Sequence, residues 1–138
     1  MSNDLDFYSF FCDDVRVEQD GKLIYLGTIH DGLILHGDPF GPEYDPEEPP
    51  GVQQLVFVGV FFTVSGTHDV SLRVEAPSGA IIVSRDLGEA DLGPEGKGHA
   101  IHAGFRSGFP LPEEGLYRVL WTVSDREFSR FLRVEGGP

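Results

Sequence analysis

Short runs rich in Val, Ile, Leu, Phe and Tyr alternate with turn-forming residues along the whole chain. Glycine (18) and proline (10) separate these runs at the intervals that are typical of an all-β sandwich or barrel. No window keeps the i, i+3, i+4, i+7 apolar spacing of a helix for three turns. The pattern predicts a single antiparallel β-sandwich domain over residues 1–138, immunoglobulin-like or C2-like, with about eight or nine strands.

The first apolar run, residues 7–18, alternates between two faces. One face is formed by Phe7, Phe11, Val15 and Val17. A tight-turn signal at residues 19–21 follows, and residues 22–29 are apolar on both faces, as a central strand is. We therefore predict that a hairpin over residues 10–29 is the element from which the sheet grows.

The most apolar run is Val52–Val64, which is too hydrophobic for an uncovered sheet edge. Gly59 inside it indicates a bulge or a close approach of another backbone segment. Val70–Ala76 alternates cleanly, and the turn that follows predicts a hairpin with Ala80–Arg85. The polar, glycine-rich stretch Leu87–Gly98 is predicted to be a connection.

Two late strands are predicted. In Leu116–Val123, the alternation places Tyr117 on the inward face, just after a proline, two acidic residues and a glycine. This order is common where a chain enters a late strand of an immunoglobulin-like sandwich and the tyrosine hydroxyl bonds back to the preceding loop. The alternation of Phe128–Val134 slips at Phe131, which predicts a bulge.

Residues 37–51 interrupt the strand pattern with five prolines, five acidic residues and no basic residue. They predict a long acidic loop, of a length that is uncommon unless the loop is functional or disordered. It can be a solvated loop, a weak calcium or metal site, or a binding surface for a basic partner. The candidate metal ligands are Asp38, Glu43, Asp45, Glu47, Glu48, His30 and His36. The candidate partner-binding residues are Phe40, Tyr44, Asp45, Glu47 and Glu48, with the two aromatic side chains as exposed anchors.

The formal net charge of −13, from 10 basic and 23 acidic residues, excludes a basic stripe for nucleic acid and disfavours an anionic membrane surface. It favours cationic partners instead. The single cysteine excludes an internal disulfide and a cysteine-based zinc site. The N-terminal residues lack the features of a signal peptide, and no apolar run is long enough for a membrane helix. We therefore expect a cytoplasmic protein.

Candidate catalytic groups do not converge in the predicted strands. Cys12 and Asp14 face one way and Asp13 the other, and no histidine lies in this hairpin to activate the thiol. The alternating Asp14, Arg16 and Glu18 predict a surface charge ladder. The glycine patterns of nucleotide-binding loops and the common hydrolase motifs are absent, and no cofactor is predicted. A non-enzymatic binding or assembly module, using loops or strand edges to engage a protein partner or its own copy, is favoured over a metal-binding module or an enzyme.

The opening hairpin resembles that of a family of small bacterial proteins of unknown function. Their first strand carries a Cys-Asp-x-x-Arg sequence, and a Gly-Lys turn leads to a Leu-x-Gly strand. The residues that carry the resemblance are Cys12, Asp13, Asp14, Arg16, Glu18, Gly21, Lys22 and Gly27. The resemblance implies a β-sandwich in which these residues are structural, and it implies no activity.

Overall fold

In a computed structural model, which describes residues 7–29, 32–94 and 99–137, the protein is all-β. This part of the chain contains no helix. The strands are β1 (Phe7–Cys12), β2 (Asp14–Val17), β3 (Leu23–Leu26), β4 (Gly32–Leu35), β5 (Gly51–Val52), β6 (Leu55–Phe61), β7 (Thr67–Glu75), β8 (Ile81–Asp91), β9 (His99–Phe105), β10 (Phe109–Pro110), β11 (Gly115–Val123) and β12 (Arg126–Gly136).

These strands form four open sheets. A three-stranded sheet has the order β1-β6-β9, and a five-stranded sheet has the order β4-β12-β11-β7-β8. Two short ribbons, β2-β3 and β5-β10, complete the fold. Neighbouring strands are antiparallel except β4, which lies parallel to β12. The predicted count of eight or nine strands was too low, because the first predicted strand is divided and the two-residue strands β5 and β10 carry no periodic signal.

One hydrophobic core is shared by the two larger sheets. Phe61 of β6 packs with its ring centroid 5.8 Å from that of Trp121 on β11 and 5.2 Å from that of Phe128 on β12. The inward faces of β7 and β11 are those that the alternation predicted, with Val70, Leu72 and Val74 and with Tyr117, Val119, Trp121 and Val123 fully buried. Each such side chain contributes about 1.5–3 kcal/mol by leaving water.

Gly59 lies where β6 faces the five-stranded sheet with little space between them. A Cβ atom at this position would lie 3.0 Å from the Phe61 ring and 3.0 Å from Cε2 of Trp121. Pairing of Gly59 with Ser9 and with Ile101 is continuous, so the glycine does not mark a bulge. Neither predicted explanation, a bulge or a close backbone approach, holds: the groups that approach Gly59 are the side chains of Trp121 and Phe61.

The first apolar run is divided at Asp13, contrary to the prediction of one continuous strand. The Asp13 backbone amide donates to the carbonyl of Leu26 at 2.8 Å, and the Asp13 carbonyl accepts from the side-chain amide of Gln54 at 2.7 Å. These bonds take residue 13 out of the ladder and reverse the alternation after it. Val15 therefore packs with Cys12 and not with Phe7.

The β2-β3 hairpin is not the centre of a sheet, and the prediction that residues 22–29 form a central strand was wrong. The hairpin lies on the outer surface of the three-stranded sheet, where it covers Val56 and Val58 with Val15 and Tyr25. One of its faces remains in solvent, and Val17 is 68% exposed. The central strand is β6, which pairs with β1 on one side and β9 on the other.

Two further boundaries differ from the predictions. Strand β8 continues to Asp91. A bulge opposite Val70 and Ser71, with Gly88 at φ +77°, shifts the register there, and the pairing with β7 then continues. Strand β12 is unbroken at Phe131, which points outward opposite Arg118. The sequence pattern looked irregular because Arg130, a charged residue, occupies an inward position opposite Val119.

At that position the Arg130 guanidinium has a hydrogen-bond acceptor and an aromatic ring as partners. One of its nitrogens donates to the Phe7 carbonyl at 3.1 Å, and the guanidinium lies 5.2 Å from the centre of the Phe7 ring.

The predicted contact between the Tyr117 hydroxyl and the preceding loop is confirmed. The Tyr117 hydroxyl donates to the Glu113 carbonyl at 2.7 Å and accepts from the Glu113 amide at 2.8 Å.

Candidate functional surfaces

Residues 36–50, which connect β4 to β5, form a series of tight turns. The Gly41 amide donates to Asp38, the Tyr44 amide to Gly41, and the Glu48 amide to Asp45, at 3.0–3.1 Å. Asp38 adopts φ +53°, and its amide donates to the Gly137 carbonyl at 2.8 Å. The connection is thus ordered by its own backbone bonds and by its contact with the end of β12.

Phe40 and Tyr44 are half-buried, not exposed as predicted. Phe40 packs against the shared core, and the centroids of the Phe40 and Tyr44 rings are 6.2 Å apart. The Tyr44 hydroxyl donates to the Pro112 carbonyl at 2.9 Å. The aromatic residues therefore fasten the connection to the domain.

The acidic side chains of this connection point into solvent. The exposed carboxylates are Asp38, Glu43, Asp45, Glu47 and Glu48. Among the residues that the structure describes, no three His, Cys, Asp or Glu side chains come together in a group able to hold a metal ion. His36 is exposed, and His30 lies outside the described residues. The arrangement is a row of separate negative charges on a fastened loop.

Cys12 is fully buried beneath the β2-β3 hairpin. Burial, followed by the nearby charges of Asp13 and Asp14, raises the pKa of its thiol. A raised pKa keeps the group as a thiol, which is neither a nucleophile nor a good metal ligand. The predicted structural burial of Cys12 is confirmed.

Sequence reasoning missed the contact between Tyr25 and His102, which are 77 residues apart. The Tyr25 hydroxyl lies 3.1 Å from Nε2 of His102, in a hydrogen bond that closes the space between the hairpin and β9. The Tyr25 ring also packs edge-on against Phe10, with centroids 4.9 Å apart. Burial raises the pKa of Tyr25 and lowers the pKa of His102, so both groups are favoured in their neutral forms.

We expect the hairpin contact to weaken in mild acid. Because the pKa of His102 in the folded protein is below its usual value near 6.5, the unfolded chain binds the proton first. The free energy of unfolding should therefore decrease as the pH falls from about 6.5 through the lowered pKa. Comparison of urea unfolding at several pH values for the wild type and His102→Gln isolates this contribution. A wild-type curve parallel to that of the variant would contradict the prediction.

The remaining charged residues of the opening motif form surface pairs. Arg16 pairs with Glu18 at 2.9 Å, as expected for a ladder. Asp14 is not part of that ladder, because it accepts from Arg106 at 2.7 Å. The Arg106 hydrogen bond holds the pKa of Asp14 below its usual range. Arg106 also lies on the wall of an open cleft of about 690 Å³ beside β5 and β10.

The other residues of the opening motif shape the hairpin backbone. Gly21 adopts φ +85° in the turn, where Lys22 pairs loosely with Asp20 at 3.9 Å. Gly27 adopts φ +67°, and the Asp13 carboxylate occupies the space that a Cβ would need. The motif therefore sets the course of the chain around the hairpin.

A serine and a histidine, His68 and Ser124, meet at the turn between β11 and β12. The Ser124 hydroxyl lies 2.8 Å from Nδ1 of His68, and Nε2 of His68 lies 2.7 Å from the Ser65 carbonyl. Ser124 adopts φ +54° and is exposed. Nucleophilic catalysis needs oxyanion donors and a bound substrate as well as such a pair. On this open turn the contact acts as a clamp between two loops.

The outward-facing side chains of the five-stranded sheet, here called the open face, include large apolar groups. These are Ile34 (60% exposed), Ile81 (58%), Leu116 (45%) and Phe131 (58%). Three arginines, Arg73, Arg118 and Arg133, lie between them. The sequence signal for this surface was the apolar residue at the outward position 131.

The chain was compared with known proteins. No protein-family model matches it. A search of curated proteins gives no match either. Within the described residues, no helix has the length and apolar character needed to cross a membrane.

Proposed function

We propose that this protein is a non-enzymatic protein-binding module of the cytoplasm, built as an immunoglobulin-like or C2-like β-sandwich. Its binding element is the connection at residues 36–50, and its partner is a basic protein segment. The observation that carries the proposal is the fastening of five exposed carboxylates to the domain by the half-buried Phe40 and Tyr44. The opening motif supports membership of the small bacterial β-sandwich family, because its residues have structural roles.

The fastened connection favours binding for two physical reasons. A loop that is already ordered loses little conformational freedom when a partner docks. Among the residues that the structure describes, none of these five carboxylates forms an ion pair, and such carboxylates attract Lys and Arg side chains and raise the association rate. Exposed ion pairs each contribute only about 0–1 kcal/mol, so we expect salt-sensitive affinity in the micromolar range or weaker.

An NMR titration with a short Lys- and Arg-rich peptide tests this proposal. We expect saturable chemical-shift changes at residues 36–50, and we expect the variant Glu47→Gln with Glu48→Gln to bind several-fold more weakly. The matched control is Glu89→Gln with Glu127→Gln, which removes two exposed carboxylates elsewhere. Equal loss in both double variants would indicate attraction to net charge alone and would contradict a site at the connection.

Calcium is the competing ligand for the same carboxylates. Adding millimolar calcium in place of the peptide distinguishes the two, because a ligand that binds only the folded protein raises the melting temperature. A melting temperature that rises with calcium, together with no peptide binding, would replace the proposed function by a calcium-binding one.

A further inference from the structure

The open face combines apolar and charged side chains in a regular arrangement. Phe131 lies directly opposite Arg118, and Leu116 lies directly opposite Arg133. Phe131 and Leu116 are therefore diagonal neighbours, about 7–8 Å apart along the sheet. Leu120, which also faces outward, is nearly buried. The exposed apolar strip at the middle of the sheet therefore consists of Leu116 and Phe131.

The charges beside this strip compensate one another. Glu75 contacts Arg73 at 3.0 Å and Arg118 at 3.8 Å, and Arg133 contacts Glu135 at 3.9 Å. Three cations thus meet two anions, in a chain whose formal net charge is −13.

These charges lie at the end of the open face that carries Leu116 and Phe131, where a second copy meets both signs of charge. The opposite end is acidic, because its outward positions hold Asp69, Asp86, Glu89, Asp91 and Glu127 and no basic residue. The contact is therefore placed at the balanced end of the face.

The size and shape of this end suit a weak contact with a second copy. The whole sheet face, with strands of four to eleven residues about 4.8 Å apart, has an area of about 700 Å². The end with balanced charge is roughly half of this, below the roughly 800 Å² per partner of a standard interface, so a weak dimer is expected. A depression of about 160 Å³ beside Ile34, lined also by Arg133 and Glu135, offers space for one large apolar side chain. Phe131 is a projecting side chain of that kind.

We propose that the open face is the contact between two copies of this chain in a two-fold symmetric dimer. In such a dimer each copy uses the same patch. The arginines of one copy therefore face the carboxylates of the other, and Phe131 of each copy faces the depression beside Ile34 of the other. Phe131 and Leu116 form the apolar centre. Arg118 and Arg133 exchange contacts with the carboxylates of the second copy. This interface is separate from the acidic connection and does not depend on peptide binding.

Sedimentation velocity from roughly 5 to 500 μM, which brackets moderate dimer affinities, tests the proposal. We expect a reversible monomer–dimer equilibrium for the wild type. Phe131→Asp and Leu116→Asp should each weaken dimerisation by about tenfold or more, because a charge then replaces a central apolar contact. Circular dichroism and melting curves establish that each variant is folded.

The matched control is Val17→Asp, which changes a more exposed apolar residue on the hairpin and should leave dimerisation unchanged. A wild type that remains monomeric throughout the range, an open series of larger oligomers, or dimers that persist in both folded variants would overturn the proposal. Titration of Phe131→Asp with the basic peptide keeps the two proposals separate, because peptide binding should be unaffected in this variant.

Discussion

Replacing Phe61 by Ala is expected to destabilise the protein by about 3–5 kcal/mol, the range found for large-to-small changes at buried aromatic positions. Phe61 is fully buried, and its ring contacts Phe7, Trp121 and Phe128. Removing it leaves a cavity at the point where the two larger sheets meet. The neighbouring strands cannot close this cavity without breaking their pairing. Urea unfolding, followed by far-UV circular dichroism, measures the loss.

The control for this experiment is Tyr8→Ala. Tyr8 lies in the three-stranded sheet opposite Val60, the residue before Phe61. Its side chain is on the outer side of the sheet and is 47% exposed. Its loss should cost less than about 1 kcal/mol, as for most exposed positions. Similar losses in both variants would contradict the placement of Phe61 between the sheets.

The second large effect is expected for Tyr117→Phe. The hydroxyl of Tyr117 satisfies both the amide and the carbonyl of Glu113, and its removal leaves these two backbone groups without that partner. The expected loss is about 1–3 kcal/mol. Chemical denaturation at pH 7 measures it, with the exposed Tyr8→Phe as the matched control.

Tyr117 also predicts a loss of stability in alkali. Burial raises its pKa to about 12, whereas a tyrosine in the unfolded chain loses its proton near pH 10. Between these values the folded state holds the proton that the unfolded state has lost. The free energy of unfolding therefore decreases as the pH rises through this window, by roughly 2–3 kcal/mol in full. Tyr117→Phe should lack this contribution, and an unchanged alkaline profile in the variant would refute it.

The strands that sequence predicted correctly are those whose burial follows from the local pattern of residues. From Val70 onward β7 buries every second residue, β11 does so with the addition of Leu120, and β6 is apolar throughout, as a strand buried on both sides must be. The contact of Tyr117 was predictable because its partner lies only four residues away. Local pattern was sufficient wherever one side of a strand faces the shared core.

The division at Asp13 could not be predicted, because it depends on a side chain 41 residues later, Gln54. For the same reason, the pair of Tyr25 and His102 and the pair of His68 and Ser124 have no local signal. Phe131 is instructive in a different way. The inward and outward positions of β12 alternate regularly. The sequence pattern looked irregular because Phe131 occupies an outward position and Arg130 an inward one. An unexpected residue type on a regular strand indicated a surface feature.

The parallel pairing of β4 with β12 determines when the five-stranded sheet can be completed during synthesis of the chain. Strand β4 lies at the sheet edge and pairs with β12, which is the last of the strands that the structure describes. Until β12 has been synthesised, β4 therefore lacks its partner in the five-stranded sheet. Non-local pairing of this kind is slow and exposes apolar surface to aggregation. Completion of the five-stranded sheet, and of the open face built on it, must wait until β12 has left the ribosome.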